Sequence, residues 1–148
     1  MRDFHGLAVW RKAHDLALGI HRATEGWPNA HLVLRDQLRR SAMSVPANIA
    51  EGCGRGSNRD FARFVQIAIA SSTELENHIQ FTLDAAIAAG PEWDSLRAAN
   101  VEVRRMLCGL KSALSGQRSA VNRADRRSLI AVRSEMGPAG FEPAHFGL

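Results

Sequence analysis

Arg39-Arg40-Ser41-Ala42-Met43-Ser44-Val45-Pro46-Ala47-Asn48-Ile49-Ala50-Glu51-Gly52 places a proline, small polar residues and a carboxylate inside an amphipathic helical pattern. Leu34, Leu38, Ala42, Val45, Ile49 and Cys53 recur at steps of four, four, three, four and four, so one apolar seam passes straight through Pro46. An interior proline removes a helical hydrogen bond and crowds the preceding turn, at a cost of about 3 kcal/mol. A seam that holds on both sides predicts a helix that keeps its course through the proline, with a kink there. Ser41, Ser44, Asn48, Glu51 and Gly52 are then candidates for the groups that adapt the helix to Pro46.

Three further segments show the same period of 3.5 residues. Val9, Ala13, Leu16, Ile20, Ala23 and Trp27 form one seam, closed by Gly26-Trp27-Pro28-Asn29. The proline-bearing helix spans about His31 to Cys53, and the glycines of 52–56 end it. Ser57-Asn58-Arg59-Asp60 reads as an N-terminal cap with an acid in the first turn. Phe61, Val65, Ala68, Ser72, Leu75, Ile79, Thr82 and Ala86 follow, up to Gly90-Pro91. The fourth segment starts around Glu92, runs through Trp93, Leu96, Asn100, Val103, Leu107, Leu110 and Leu114, and is expected to stop before Gly116.

Four such seams with short connectors predict an all-α, up-and-down, left-handed four-helix bundle over residues 1–116. No segment alternates with period two, so no strands are expected. Residues 117–148 change in character. A marginal basic helix over 119–133 is conceivable there, but Gly137, Pro138, Gly140 and Pro143 break any pattern, and the stretch reads as a mostly disordered basic tail. Second apolar lines, Trp10, Ala17 and Thr24 on the first helix and Phe64, Ile67 and Ser71 on the third, exceed what a bundle core needs and hint at self-association.

The 148 residues fit one domain with a modest core, 45% of them apolar. No apolar run approaches the roughly 18 residues of a membrane span, and Met1–Gly6 lacks the apolar stretch of a secretory signal. Cys53 and Cys108 are expected as small hydrophobes on helix seams, not as a disulfide framework, which places the chain in the cytoplasm. The net charge is +4. Residues 1–116 carry 14 Lys and Arg against 12 Asp and Glu, and the shorter 117–148 carries 5 Arg against 3 acids. Of the 19 basic residues only Lys12 and Lys111 are lysine. Arginine is the better fork for phosphate, though GC-rich codon usage yields the same composition.

With the helices placed, residues 4–115 resemble the bacterial four-helix-bundle family known as the intervening-sequence protein of large-subunit ribosomal RNA. The resemblance rests on three motifs in order: Phe4…Leu7-Ala8-Val9-Trp10-Arg11-Lys12-Ala13-His14, then Gln37-Leu38-Arg39-Arg40-Ser41-Ala42 with Ser44-Val45-Pro46-Ala47-Asn48-Ile49-Ala50-Glu51-Gly52, then Phe61…Phe64, Ala68…Ser71-Ser72 and Glu74-Leu75-Glu76. The resemblance implies an up-and-down bundle that assembles as a ring-shaped homo-pentamer, with no known catalytic activity; no cofactor is expected. A related branch, the accessory variability protein of diversity-generating retroelements, is a basic pentamer that partners a reverse transcriptase and binds nucleic acid. Cys53 and Gly56 depart from the family's commoner residues, and nothing beyond Gly116 has a counterpart. Gly137-Pro138-Ala139-Gly140-Phe141-Glu142-Pro143-Ala144 is instead similar to the peptide read when an open frame runs on into a transfer-RNA gene.

Arg35, Arg39 and Arg40 on the second helix and the i,i+4 ladder Arg55, Arg59, Arg63 at the start of the third are the candidate nucleic-acid contacts, read as one patch across the intervening turn. The alternative is a solvated face, or pairing with Asp36, Glu51 and Asp60. No aromatic side chains interleave with these arginines as in base-stacking sites. Ser41, Ser44, Asn48 and Glu51 are expected to relieve the carbonyl freed by Pro46, with Glu51 pairing to an arginine of a neighbouring helix. A catalytic pair of Glu51 with His14 or His78 requires the bundle to bring them together. A di-metal site is disfavoured, because Glu74 and His78 lack the Glu-x-x-His spacing. The reading is a non-enzymatic oligomeric module binding RNA, DNA or a nucleoprotein partner; the alternatives are a protein-only scaffold for a reverse transcriptase or other enzyme, and a metal-binding or catalytic bundle.

Overall fold

The computed structural model describes residues 2–135, with side chains as far as Gly116. Two short 3-10 turns (Phe4–Gly6 and Asn29–His31) and four α-helices, α1 (Ala8–Ala23), α2 (Leu32–Cys53), α3 (Asn58–Asp84) and α4 (Pro91–Glu135), make up its regular structure. No strand occurs among the described residues, and no helix among them is long and apolar enough to cross a membrane. Two compact units are distinguished, Met1–Ser115 and Gly116–Leu148.

Local chemistry sets the helix ends. Gly26 adopts φ +71° ahead of Pro28, a left-handed position at which an L side chain is strained. Ser57 sits in an extended conformation and its Oγ accepts from the Asp60 amide at 3.1 Å, so the expected cap forms. The α3 seam was expected to reach Ala86. The helix instead ends at Asp84, and Ala86 takes φ 53°. Gly90 at φ 101° turns the chain so that Pro91, which needs no amide partner, opens α4.

The other departure lies at Gly116. The sequence pattern closes the fourth helix there, whereas α4 continues to Glu135, across the first part of the stretch read as a tail. A glycine stops a helix where it takes a left-handed φ. Gly116 does not, and in the helical region it costs only about 1 kcal/mol relative to alanine. The transfer-RNA-like peptide of 137–144 lies outside the described residues.

Within Met1–Ser115 each helix runs antiparallel to two neighbours. Arg39 of α2 reaches Thr24, which caps the end of α1, and Ser44 of α2 meets Ser71 of α3 at 2.8 Å. Ser72 of α3 bonds Asn100 of α4, and Lys12 of α1 pairs with Glu102 of α4 at 2.7 Å. Leu38, Val45, Ile49, Phe61, Val65, Leu75, Ile79, Val103 and Leu107, all from the predicted seams, are buried at the centre. Pro46 is buried within a continuous α2, as the uninterrupted seam requires. The second apolar lines are partly absorbed into this core: Ala17, Thr24 and Ser71 are buried, Trp10 and Phe64 half-buried, and Ile67 exposed. Cys53 is buried and its thiol, pushed up in pKa chiefly by that burial, stays protonated at neutral pH. Cys108, expected on a seam, is exposed one position after Leu107.

Arg39 fastens the end of α1. Its Nε donates to Thr24 Oγ1 at 2.9 Å and its Nη2 to the His21 carbonyl at 3.0 Å, while Thr24 Oγ1 donates to the Ile20 carbonyl. The His21 carbonyl, in the last turn of α1, is thereby served from α2, while the Ile20 carbonyl also accepts from the Thr24 amide. Arg39→Ala is expected to cost about 1 kcal/mol, read as a lower urea midpoint at unchanged m-value.

Candidate nucleic-acid interface

The six candidate arginines do not form one patch. Arg39 and Arg55 are 16 positions apart along and just beyond α2, roughly 24 Å at about 1.5 Å per residue. Arg35, Arg39 and Arg40 therefore belong to one end of the bundle, and Arg55, Arg59 and Arg63 to the other. At the first end Arg35 pairs with Asp36 at 3.0 Å and Arg39 is engaged with α1. Of these three, only Arg40 is exposed without an ion pair among the described residues.

The second end gathers more cation than the sequence pattern indicates. Arg55 and Arg63 both lie over the Phe64 ring, at 4.8 and 5.4 Å from its centroid, and Arg2 lies 5.6 Å from the Phe61 centroid. Aromatic rings do therefore interleave with the arginines, contrary to the sequence expectation. The guanidinium groups themselves take up the Phe64 ring, so it is a cation–π platform and not a free base-stacking surface. Arg55 also pairs with Glu51 at 2.6 Å. Arg59 and Arg63 form no ion pair among the described residues, and with Ser57, Gln66 and Lys111 they line an open concavity between α3 and α4. Asp60 is the one carboxylate in that lining.

Lys111 and Arg2 were missed by the sequence reading. Lys111 donates to Gln66 Oε1 from α4, and Arg2 Nη2 donates to Asn58 Oδ1 at 2.7 Å. Forty-five and fifty-six positions separate these pairs, so only the antiparallel packing of α3 on α4 and the path of the N-terminus reveal them.

The residues around Pro46 divide differently from the expectation. Ser41 Oγ donates to the carbonyls of Gln37 and Leu38, and Asn48 Nδ2 donates to the Ser44 carbonyl at 2.8 Å. Ser44 and Ser71 share a hydroxyl–hydroxyl bond, and Ser71 bonds back to Ile67. None of these bonds reaches the carbonyl of Ala42, the one that Pro46 leaves without its helical donor, so the expected relief of that group is not what they do; the Ser44–Ser71 bond instead ties α2 to α3. Glu51 is exposed and its partner Arg55 follows it in the same chain segment, so it is not a buried carboxylate held by another helix. Gly52 is buried, and an added Cβ would lie 2.8 Å from both Phe61 Cδ2 and Phe64 Cβ. It is the close contact of α2 with α3 that sets Phe64 and its arginines in place.

The postulated acid–base pairs do not assemble. Glu51 bonds Arg55, His14 stacks on Trp10 with centroids 4.9 Å apart, and His78 lies 3.4 Å from Glu74. Among the described residues no group of three or more His, Cys, Asp or Glu is placed to hold a metal ion.

An antiparallel four-helix bundle with a cationic end is, by its architecture, a helical module. More particularly, the sequence pattern of the family described as 23S rRNA-intervening sequence protein matches residues 5–109, more than half of the chain, and the protein belongs to that family. A crystal structure of a protein of unknown function from the S23 ribosomal protein family of Bacteroides thetaiotaomicron superposes with a TM-score of 0.66 at 23% identity, covering 70% of this chain and 98% of that one. At that identity the likeness concerns the fold. No curated protein matches the chain.

Proposed function

We propose that this protein is a non-enzymatic, cytoplasmic, self-associating module that binds RNA by its phosphates at the Arg55–Arg59–Arg63–Lys111 end. The observation that carries the reading is the concavity in which Arg59 and Arg63, without an ion pair among the described residues, converge with Lys111 from another helix. Guanidinium forks there meet phosphate oxygens without first breaking an internal salt bridge. The family description contains 23S rRNA, which makes RNA the first polyanion to test. Arg35, Arg39 and Arg40, also candidates from the sequence, take a lesser part because two of the three are already engaged.

Self-association, with a pentamer as the expected state, is supported by large apolar side chains exposed on different helices: Leu18, Val33, Met43, Ile67 and Phe81. An oligomer repeats the cationic end around its symmetry axis and turns weak patches into avid ones. The second reading, a protein-only scaffold that partners a reverse transcriptase or another enzyme, rests on the same apolar faces without the cations.

Filter binding of single-stranded RNA by the full chain tests the choice. Log affinity should fall linearly with log salt. Reversing Arg59, Arg63 and Lys111 together to glutamate should abolish binding, while Arg35→Glu should weaken it by less than about tenfold. A wild-type chain that retains no RNA at about 50 mM salt sinks the RNA reading and leaves the scaffold.

A further inference from the structure

Along α1 and α2 the bundle carries an apolar groove of about 570 Å³, lined by Phe4, Trp10, His14, Leu18, Met43 and Pro46 among others, with no Asp, Glu, Lys or Arg in its lining. That volume lies in the range of pockets that take drug-sized molecules, ample for one aromatic side chain with its neighbours. Phe4, Trp10 and His14 form a rigid aromatic wall: Phe4 meets Trp10 edge-on at 4.9 Å, and His14 lies nearly parallel to Trp10. Cationic groups flank this groove. Arg11 precedes His14 by three positions on α1, and Arg40 precedes Met43 by three on α2, so each shares the face of a groove residue.

A different helix carries the complementary features. Phe81, near the end of α3, is 58% exposed, and it does not line the groove of its own chain. From Phe64 to Asp84 the helix contains no Lys or Arg, whereas Glu74 and Asp84, seven before and three after Phe81, lie exposed on the same face. Their local partners, His78 and Gln80, leave both carboxylates accessible to solvent. An acidic-flanked aromatic knob thus answers a basic-flanked aromatic groove.

The geometry points to a head-to-tail contact in which Phe81 of one copy seats in the α1–α2 groove of the next, with Asp84 and Glu74 meeting Arg40 and Arg11. This inference rests on the self-association proposed above and specifies which surfaces perform it. Because the two surfaces differ, the contact is heterologous. Repetition closes into a ring if the rotation permits and otherwise extends.

Two full-chain variants, Met43→Glu and Phe81→Glu, test it. Both positions are exposed, so folding is expected to survive, and circular dichroism melts check that. In light scattering at micromolar concentration the wild type is expected above single-chain mass and each variant at single-chain mass. An equimolar mixture of the two should form a heterodimer and nothing larger, since each retains one intact half. Arg40→Asp should loosen the wild-type assembly at least tenfold, and Asp84→Arg added to it should restore most of the loss. Phe81→Glu at full wild-type mass overturns this contact while leaving self-association standing, as does a mixture of monomeric variants that stays monomeric. A wild type of single-chain mass removes both readings.

Discussion

Gly52→Ala is expected to destabilise the fold by about 1–3 kcal/mol, whereas Gly109→Ala should stabilise it by about 0.5–1 kcal/mol. Both glycines lie in helices, and helix propensity alone favours alanine at each. The surroundings reverse the sign at one of them. A Cβ on Gly52 would lie 2.8 Å from Phe64 Cβ and 3.3 Å from the Phe61 carbonyl, atoms fixed to the α3 backbone, so relief requires α3 to move away from α2. At Gly109, exposed on α4, an added Cβ meets nothing within 4 Å. Urea unfolding of the two variants measures both signs. Equal stabilisation of both would mean that α2 and α3 do not approach as closely as described. Gly52→Ala should also displace the Phe64 ring from beneath Arg55 and Arg63, so its RNA affinity falls further than its stability accounts for.

The fold was largely legible because the bundle core has one repeating rule. Each seam residue from Val9 to Leu114 was placed by spacing alone, and most are buried. The helix ends were legible where a specific residue enforces them, as at Gly26, Ser57 and Gly90-Pro91. Gly116 misled because glycine stops a helix by its φ, which composition does not reveal. The cationic site was legible only in part. Its α3 ladder follows from i,i+4 spacing, but spacing within a helix says nothing about which side chains another helix will bring. Lys111 and Arg2 entered from distant positions, and Arg39 left the site because Thr24 and the His21 carbonyl hold it. The Phe64 platform was invisible for the same reason: Arg55 belongs to the turn and Arg63 to α3, and the ring joins them only in three dimensions.

Asn100→Leu is expected to cost about 2–3 kcal/mol, and adding Ser72→Ala should recover at least about 1 kcal/mol of that loss. Asn100 is 1% exposed and Ser72 fully buried, so neither can turn to water. In the native bundle Ser72 Oγ donates to Asn100 Oδ1 at 2.9 Å, and Asn100 Nδ2 donates to the Ser72 carbonyl at 2.9 Å. Leucine at 100 nearly conserves volume but strips the Ser72 hydroxyl of its acceptor in a dry layer, the situation in which a polar group is most costly. Removing the hydroxyl as well makes the layer apolar and self-consistent. A reciprocal pair of bonds between α3 and α4 also fixes their register, because sliding one helix by a turn breaks both bonds at once. The double variant should therefore regain stability yet show broadened amide resonances or a second set of them. Denaturant melts of the single and double variants close the cycle. Additive losses would show that the two side chains act independently and that the register is held elsewhere.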